Sequence, residues 1–229
     1  MKKEAFTLAE VLITLGIIGV VAALTIPTLI QSYKKREIET SLQKIYSTVN
    51  QAIKKAELDY GEYENWEFTS DGSNALDQYF IPYLNVSKIE PSTHTNNCTG
   101  RRMYLADGSL LIGSACNFWG YWIDFCYYPK AKNWKGKSGN GCFESDGSKS
   151  AFWFSFSTKK DNPGKQFFSN SPFMPYVGSD INEKLTEDSL TNPKYVYACN
   201  KESSTPRQCT ALIMLNNWKI PDNYPFRLK

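Results

Sequence analysis

The chain has 229 residues and a formal net charge of +3, and 41% of its residues are hydrophobic. A net charge this small excludes composition alone as an argument for a polyanionic partner. The 14% aromatic content, together with frequent Gly, Asn, Ser and Pro after Gly61, favours strands and loops over a helical bundle in that region. The length is sufficient for one domain with a sizeable core behind an N-terminal segment.

An apolar stretch near the N-terminus organises the sequence. Val11 to Ile30 contains no charged residue over twenty positions, which is long enough to cross a bilayer as a helix. Glu10 lies directly before this stretch, where a carboxylate costs free energy unless it finds a partner. Pro27 removes one helical hydrogen bond and predicts a local bend. The sequence therefore predicts a membrane-spanning helix with one acidic residue at its start.

The helical pattern continues beyond the apolar stretch as one amphipathic face. The charged residues of this part, Glu39 among them, are predicted to lie on the rest of the helix surface. Because Tyr60-Gly61 is typical of a helix end, we expect one helix from Phe6 to about Asp59. The apolar positions of the face recur at spacings of three and four residues: Ile38, Leu42, Ile45, Val49, Ile53 and Ala56.

The segment Phe6-Thr7-Leu8-Ala9-Glu10-Val11-Leu12 resembles the cleavage and methylation segment of type IV prepilins and type II secretion pseudopilins. The resemblance covers residues 1–30. It implies that a prepilin peptidase removes the leader, residues 1–5, and that the new terminal amine of Phe6 is methylated. It also implies that Glu10 neutralises the terminal amine of a neighbouring subunit in a filament. Pro27 falls where the family commonly has a helix-bending proline, whereas Ala5 stands where the family prefers Gly.

The patterns predict an α+β fold, in which the outer half of a long helix packs on an antiparallel sheet, and the resemblance makes this fold pilin-like. We expect a leader over residues 1–5, a transmembrane and filament-core helix over 6–30, its amphipathic continuation over 31–60 and a disulfide-bonded, β-rich domain over 61–229. Asp107-Gly108-Ser109 predicts a hairpin turn, and residues 75–84 a short helix. Strands are predicted at residues 101–106, 110–115, 120–126, 151–157, 195–199 and 209–215.

Six cysteines follow the apolar stretch, and their even number predicts disulfides in an oxidising compartment. Cys199 and Cys209 close a short polar loop between two apolar runs, so this pair is the first that we predict. Sequence-adjacent pairing is the simplest scheme for the others, although other connectivities and six buried free thiols are alternatives. The candidates are Cys98, Cys116, Cys126, Cys142, Cys199 and Cys209.

The sequence contains none of the common catalytic motifs, so we predict that the protein is not an enzyme. His94 is the single histidine and lies in a polar loop, which favours a solvated side chain over a zinc ligand. Asp107, Asp124 and Asp146 are candidates for calcium binding, but their spacing is not that of a calcium loop. Turn formation explains Asp107 and Asp146 better, and we expect no metal and no cofactor.

The segment Lys130 to Lys137 mixes cations with an aromatic residue, and Tyr127 and Tyr128 precede it. Such mixtures occur on nucleic-acid-binding surfaces, and the resemblance adds that some minor pilins bind DNA during uptake. The sequence favours the alternative of a solvated loop closed by Cys126 and Cys142.

Two other interpretations of the N-terminus stay open. A secretory signal peptide would use Lys2 and Lys3 and would be cut after Val21-Ala22-Ala23, but Glu10 interrupts its apolar region. A simple membrane anchor explains the length of the stretch and leaves Glu10 without a partner. Basic residues flank the stretch on both sides and do not decide its orientation, so the cysteines place the large domain outside the cytoplasm.

We therefore expect a structural subunit, a minor pilin or a pseudopilin, of a type IV pilus or a type II secretion filament. The resemblance implies other pilin-like subunits, prepilin peptidase, the inner-membrane assembly machinery and, before assembly, membrane lipid as partners. It implies a single-pass protein of the bacterial inner membrane that later enters a cell-surface or periplasmic filament. A membrane-anchored surface binding protein is the alternative function.

Overall fold

The structure is a computed structural model that describes residues 7–69, 72–93, 98–116, 122–136, 148–158, 171–178, 181 and 185–229. The chain divides into two compact units, Met1–Glu37 and Ile38–Lys229. Four α-helices are described: α1 (Leu8–Tyr60), α2 (Ser73–Tyr79), α3 (Glu187–Thr191) and α4 (Cys209–Leu215). Short 3-10 turns occur at Tyr63–Asn65, Ile81–Tyr83 and Ala131–Asn133.

The long N-terminal helix is confirmed as a single element, α1. It runs from Leu8 to Tyr60 and continues through Pro27. Gly61 ends it with a φ of 78°, a left-handed conformation that favours glycine, and the Gly61 N–H donates to the Glu57 carbonyl at 2.9 Å. The predicted stop at Tyr60-Gly61 therefore has the expected physical cause.

Six strands form one antiparallel sheet in which every strand pairs with its neighbours in sequence. The predicted hairpin around Asp107-Gly108-Ser109 is confirmed as β2 and β3, and the predicted strands near residues 120–126 and 151–157 are β4 and β5. With α1, this sheet makes the protein α+β in class. The strands are β1 (Val86–Thr93), β2 (Cys98–Leu105), β3 (Leu110–Cys116), β4 (Trp122–Tyr128), β5 (Phe152–Ser157) and β6 (Phe173–Pro175).

Two predicted strands are wrong. Residues 195–199 form turns, and residues 209–215 are the helix α4. An apolar run as short as residues 209–215 fits a buried strand and a buried helix equally well, because its periodicity does not separate the two. In the structure, Ala211 and Leu212 pack in one apolar cluster while Ile213 packs in the main core. A helix places neighbouring residues toward two different clusters in this way.

The main core of the domain lies between the second half of α1 and one face of the sheet. The amphipathic stripe of α1 is buried as predicted, from Ile38 to Ala56. Phe154, Phe156 and Phe173 of the sheet pack in the same cluster. The other face of the sheet is also covered, since Trp153 and Tyr128 are buried in a second cluster. The polar residues that alternate in the β5 sequence therefore do not mark a solvent face.

Glu39 corrects the predicted helix surface. It was expected among the exposed charges, but it is only 5% exposed. Its carboxylate accepts a hydrogen bond from the Ile220 N–H at 2.9 Å and pairs with the Lys219 ammonium at 3.0 Å. A buried carboxylate is tolerated when it is hydrogen-bonded and paired in this way. Glu39 thus attaches the C-terminal segment to α1.

The predicted disulfide between Cys199 and Cys209 is confirmed, with Cα atoms 4.7 Å apart. Cys98 and Cys116 occupy directly opposite positions in the β2–β3 register, and their pairing stays a prediction. Cys126 is disulfide-bonded. Its predicted partner, Cys142, lies outside the described residues, so that pairing also stays a prediction.

Candidate functional site

The apolar segment of α1, residues 11–30, has no buried residue. Its large side chains are well exposed, from Val11 at 41% to Leu24 at 72%. A continuous apolar surface of this kind marks contact with lipid or with another protein. This one helix is long and apolar enough to cross a membrane, by length and composition.

The polar groups within this segment are largely satisfied by the helix itself. The hydroxyls of Thr14 and Thr25 donate to the carbonyls of Val11 and Val21, each at 2.9 Å. Such back-bonding hides the hydroxyl from an apolar environment. Near Gly16 and Gly19, an added Cβ would meet no atom within 4 Å. The surface of the apolar segment is therefore accessible and, apart from Glu10 before it, has few polar groups that still need a hydrogen-bond partner.

Glu10 has a partner within its own chain, which the sequence interpretation missed. The Thr7 N–H and the Thr7 hydroxyl both donate to Oε2 of Glu10 at 2.8 Å, and the Glu10 N–H donates back to the Thr7 hydroxyl at 3.3 Å. This reciprocal pattern is a capping box at the start of α1. The spacing Thr-x-x-Glu is the sequence signal that could have predicted it. Glu10 is therefore not satisfied only by another molecule.

The capping box leaves one oxygen of the carboxylate for other donors. Both bonds from Thr7 reach Oε2, and Oε1 accepts no hydrogen bond from the described residues. The side chain is exposed. Ala5 and Phe6, the predicted processing residues, lie outside the described part of the chain. Pro27 lies in the same helix as Glu10, several turns further along it. The two predicted assembly residues therefore lie near opposite ends of the apolar segment.

The predicted basic segment lies on the outer face of the sheet. Lys132 and Lys135 are exposed, and the Arg102 guanidinium lies over the Trp134 ring, 4.8 Å from its centroid. Arg102 also pairs with Glu90 at 3.3 Å. The Trp134 ring of the segment therefore already has a cation–π contact with Arg102. Lys137 lies outside the described residues.

The aspartates that were considered for calcium have other partners. The Lys44 ammonium pairs with Asp107 at 2.6 Å, and the Ser109 N–H and hydroxyl donate to the same carboxylate at 3.0 and 2.6 Å. Burial raises the pKa of Asp107, but these hydrogen bonds outweigh burial and leave its pKa below the usual value. The indole of Trp122 donates to Asp124 at 2.6 Å. His94 and Asp146 lie outside the described residues.

A cation-aromatic cluster near the disulfide was not predicted. The Arg207 guanidinium lies 4.2 Å from the ring centroid of Trp153 and 5.1 Å from that of Tyr197. Asp124 pairs with the same guanidinium at 3.7 Å. Arg207 belongs to the loop that the Cys199–Cys209 disulfide closes. The cluster joins this loop to the outer face of the sheet, and no local sequence pattern indicates such a long-range contact.

The fold and the exposed segment define an α+β protein with one N-terminal helix that is long and apolar enough to span a membrane. The chain belongs to a family of unknown function, DUF6613, which it matches over residues 28–228. The match begins after Pro27, so it concerns the second half of α1 and the sheet domain and does not include the segment Phe6 to Leu12. Neither the curated proteins nor the solved structures contain a match to this chain.

Proposed function

We propose that the protein is a pilin-like filament subunit, a minor pilin or pseudopilin, which is inserted in the bacterial inner membrane and assembled through its N-terminal helix. In this proposal, prepilin peptidase cleaves before Phe6, and residues 11–30 form the filament core. Glu10 neutralises the terminal amine of a neighbouring subunit. The protein acts by assembly and carries out no catalysis.

The observation that supports this proposal best is the contrast within α1. Residues 11–30 leave every large apolar side chain exposed, whereas the helix from Ile38 to Ala56 buries one stripe in its own domain. A segment that is apolar all round and whose large side chains are exposed among the described residues suits a bundle of identical helices or a lipid environment. Oε1 of Glu10 supplies an acceptor at the start of that segment.

A single-pass anchor for a surface binding domain is the second candidate, and the capping box favours it. Because Thr7 donates two hydrogen bonds to Glu10, an isolated chain does not leave this carboxylate without a partner. The free-energy cost of an unpaired charge therefore does not by itself require a neighbouring subunit. The two candidates differ in whether the N-terminus is processed and whether Glu10 acts by its charge.

Mass spectrometry of the native N-terminus separates the candidates. If the protein is a filament subunit, we expect N-methylphenylalanine at Phe6. If it is a membrane anchor, we expect an intact Met1. Cleavage after Ala23 would identify a secreted protein and contradict both.

Two variants separate the charge of Glu10 from its role as a helix cap. In Glu10→Gln, the side chain can still complete a capping box, because Gln serves at this position, but it has no charge. In Thr7→Val, the two hydrogen bonds of the Thr7 hydroxyl are lost, while the backbone N–H of residue 7 and the charge of Glu10 stay. We expect Glu10→Gln to reduce filament incorporation at least tenfold while leaving membrane insertion intact, a loss that corresponds to at least about 1.4 kcal/mol of assembly free energy.

Thr7→Val is the matched control, and it should assemble better than Glu10→Gln. Sheared filament fractions and membrane fractions, compared by immunoblot, give both quantities. Equal incorporation of Glu10→Gln and the native chain would reject the role of the charge and leave the anchor as the better function.

A further inference from the structure

A short basic segment follows the apolar part of α1. Tyr33 is 70% exposed, and Lys34, Lys35 and Arg36 come directly after it in the same unit of the structure. We call residues Tyr33–Arg36 the basic collar. With 3.6 residues per turn, three consecutive helical residues point in directions about 100° apart, so the three cations are spread over about 200° of the helix circumference. Arg36 is exposed and the two lysines are half-buried.

The distance of the collar from the apolar segment matches the layering of a bilayer. Residues 11–30 span about 30 Å as a helix, which equals the thickness of the hydrocarbon core. Lys34 to Arg36 follow Ile30 by about 6–9 Å along the helix axis. The polar layer on each side of the hydrocarbon is about 5–8 Å thick. The three cations therefore reach the level of the phosphates when the apolar segment fills the hydrocarbon.

We propose that the basic collar binds the headgroups of anionic phospholipids. The inference rests on membrane insertion of residues 11–30, which the filament subunit and the anchor share. A guanidinium matches a phosphate through two parallel N–H bonds, and an ammonium attracts it as a point charge. Tyr33 supplies an amphipathic ring of the kind that is enriched at the membrane interface. Glu37, the next residue, reduces the charge of the segment by one and leaves it cationic.

The order of the residues along α1 favours a lipid surface as the partner. An apolar segment as long as the hydrocarbon core is followed along α1 by a tyrosine and three cations, with Gln31 and Ser32 between the apolar segment and the tyrosine. A soluble polyanion would be attracted by the cations alone and would not require the preceding apolar segment. Attraction to an anionic leaflet falls off within a Debye length, so it depends on the collar lying at the surface.

The test uses the full chain in vesicles made of equal amounts of phosphatidylcholine and phosphatidylglycerol. Spin-labelled forms of the two lipids report which of them contacts the protein. We expect the native chain to select phosphatidylglycerol at least about twofold, and raised salt to reduce this preference. The variant Lys34→Gln/Lys35→Gln/Arg36→Gln should show no preference.

The matched control is Lys55→Gln/Lys132→Gln/Lys135→Gln, which removes the same charge from exposed positions of the domain. It should keep the preference of the native chain. A native chain without preference, or a collar variant that retains it, overturns the proposal, and so does a chain that is not retained in the vesicles. Filament incorporation is measured separately, so an unprocessed chain that still selects phosphatidylglycerol would reject the filament function and support the collar.

Discussion

At the scale of single residues, Glu39 is a buried charge whose contribution to stability can be measured. Its carboxylate is buried and accepts from the Ile220 N–H, while its partner Lys219 is 67% exposed at the side chain. The segment that it holds contains two non-glycine residues with left-handed φ angles, Asn217 at 53° and Trp218 at 61°. Contacts to α1 must offset that backbone strain, and the Trp218 ring lies 5.1 Å from that of Tyr46.

We expect Glu39→Ala to lower the free energy of unfolding by about 2 kcal/mol, because a buried backbone donor loses a charged acceptor. Lys219→Met should cost less than about 1 kcal/mol, since it removes an ion pair in which the ammonium is largely solvated. Denaturant titration of the full chain in detergent, followed by tryptophan fluorescence, measures both. If the two variants were equally destabilised, the ion pair and not the hydrogen bond from Ile220 would be the dominant contribution.

Asp107 gives the domain a predictable response to acid. Its pKa lies below the usual value of 3.8, because hydrogen bonds from Lys44 and Ser109 outweigh the effect of burial. A carboxyl group whose folded pKa is lowered stabilises the protein at pH above its unfolded pKa, and this contribution is lost as the pH falls through the folded pKa. The loss should therefore occur below about pH 4.

We expect Asp107→Asn to cost about 0.5 kcal/mol at neutral pH, since the ion pair is partly solvated. The difference in unfolding free energy between this variant and the native chain should shrink below about pH 4, where the native carboxyl group becomes protonated. Denaturant titrations at several pH values measure it. A difference that grows on acidification would contradict the assigned direction of the pKa shift.

At the scale of secondary-structure elements, the two edge strands of the sheet are protected by different means. An exposed edge offers unpaired N–H and C=O groups to other chains. On β1, Pro91 lacks an N–H and Lys88 is exposed. On β6, the side chain of Asn50 from α1 replaces a neighbouring strand. Its amide donates to the Phe173 carbonyl at 3.1 Å and accepts from the Phe173 N–H at 3.4 Å.

We expect Asn50→Ala to accelerate hydrogen exchange of the Phe173 amide about tenfold, because this donor then loses the Asn50 acceptor across the edge. Gln51→Ala is the control. Gln51 is the next residue on α1, and its side chain bonds to the Ser47 hydroxyl of the same helix at 2.9 Å. Exchange of the Phe173 amide at the native rate in Asn50→Ala would show that β6 is held by its pairing with β5 alone.

The elements that the sequence predicts correctly are those with long or strongly local signals. α1 has a sustained period and a Gly stop, and the β2–β3 hairpin has a turn sequence between two apolar runs. β6 has three residues and α3 has five, so neither contains enough residues for a period to emerge. β1 contains Pro91, which argues against a central strand and is compatible with the edge position that β1 occupies.

The sequence predicts which residues form the candidate site, but it does not predict all of their contacts. The apolar stretch is visible in the sequence as an uninterrupted series of uncharged residues. Glu10 is visible as the charged residue directly before it. The capping box was equally visible as Thr7 and Glu10 at the required spacing. The burial of Glu39 was not, because its partners Lys219 and Ile220 are 180 and 181 residues away. Long-range pairing of this kind depends on the tertiary fold and leaves no periodic signal.

At the scale of the whole molecule, two parts of the chain are stabilised in different ways. Ile38–Lys229 has its own core on both faces of the sheet and a disulfide between Cys199 and Cys209. Residues 11–30 have no core and no buried side chain. Among the described residues nothing covers this apolar surface, so lipid or another helix is the environment that would stabilise it. Changes in one part should affect membrane retention, and changes in the other should affect folding.

Val20→Arg tests this separation. Val20 lies in the middle of the apolar segment and is 62% exposed, so an arginine there has no effect on the core of the domain. A charged residue at the centre of a spanning helix costs about 3 kcal/mol of insertion free energy. We expect most of the variant to be extracted from membranes at alkaline pH, while the tryptophan fluorescence of the domain stays native. Thr40→Arg, at an exposed position of the amphipathic part, should remain in the membrane like the native chain.

The two readouts of this experiment answer different questions because they report on different parts of the chain. Retention of Val20→Arg in the membrane at the native level would mean that residues 11–30 do not hold the protein there, which removes the physical basis shared by the filament subunit and the anchor. Loss of the native fluorescence would mean instead that the apolar segment packs on the domain. Loss of retention with an intact domain leaves lipid, or a neighbouring helix in its place, as the environment that the apolar segment requires.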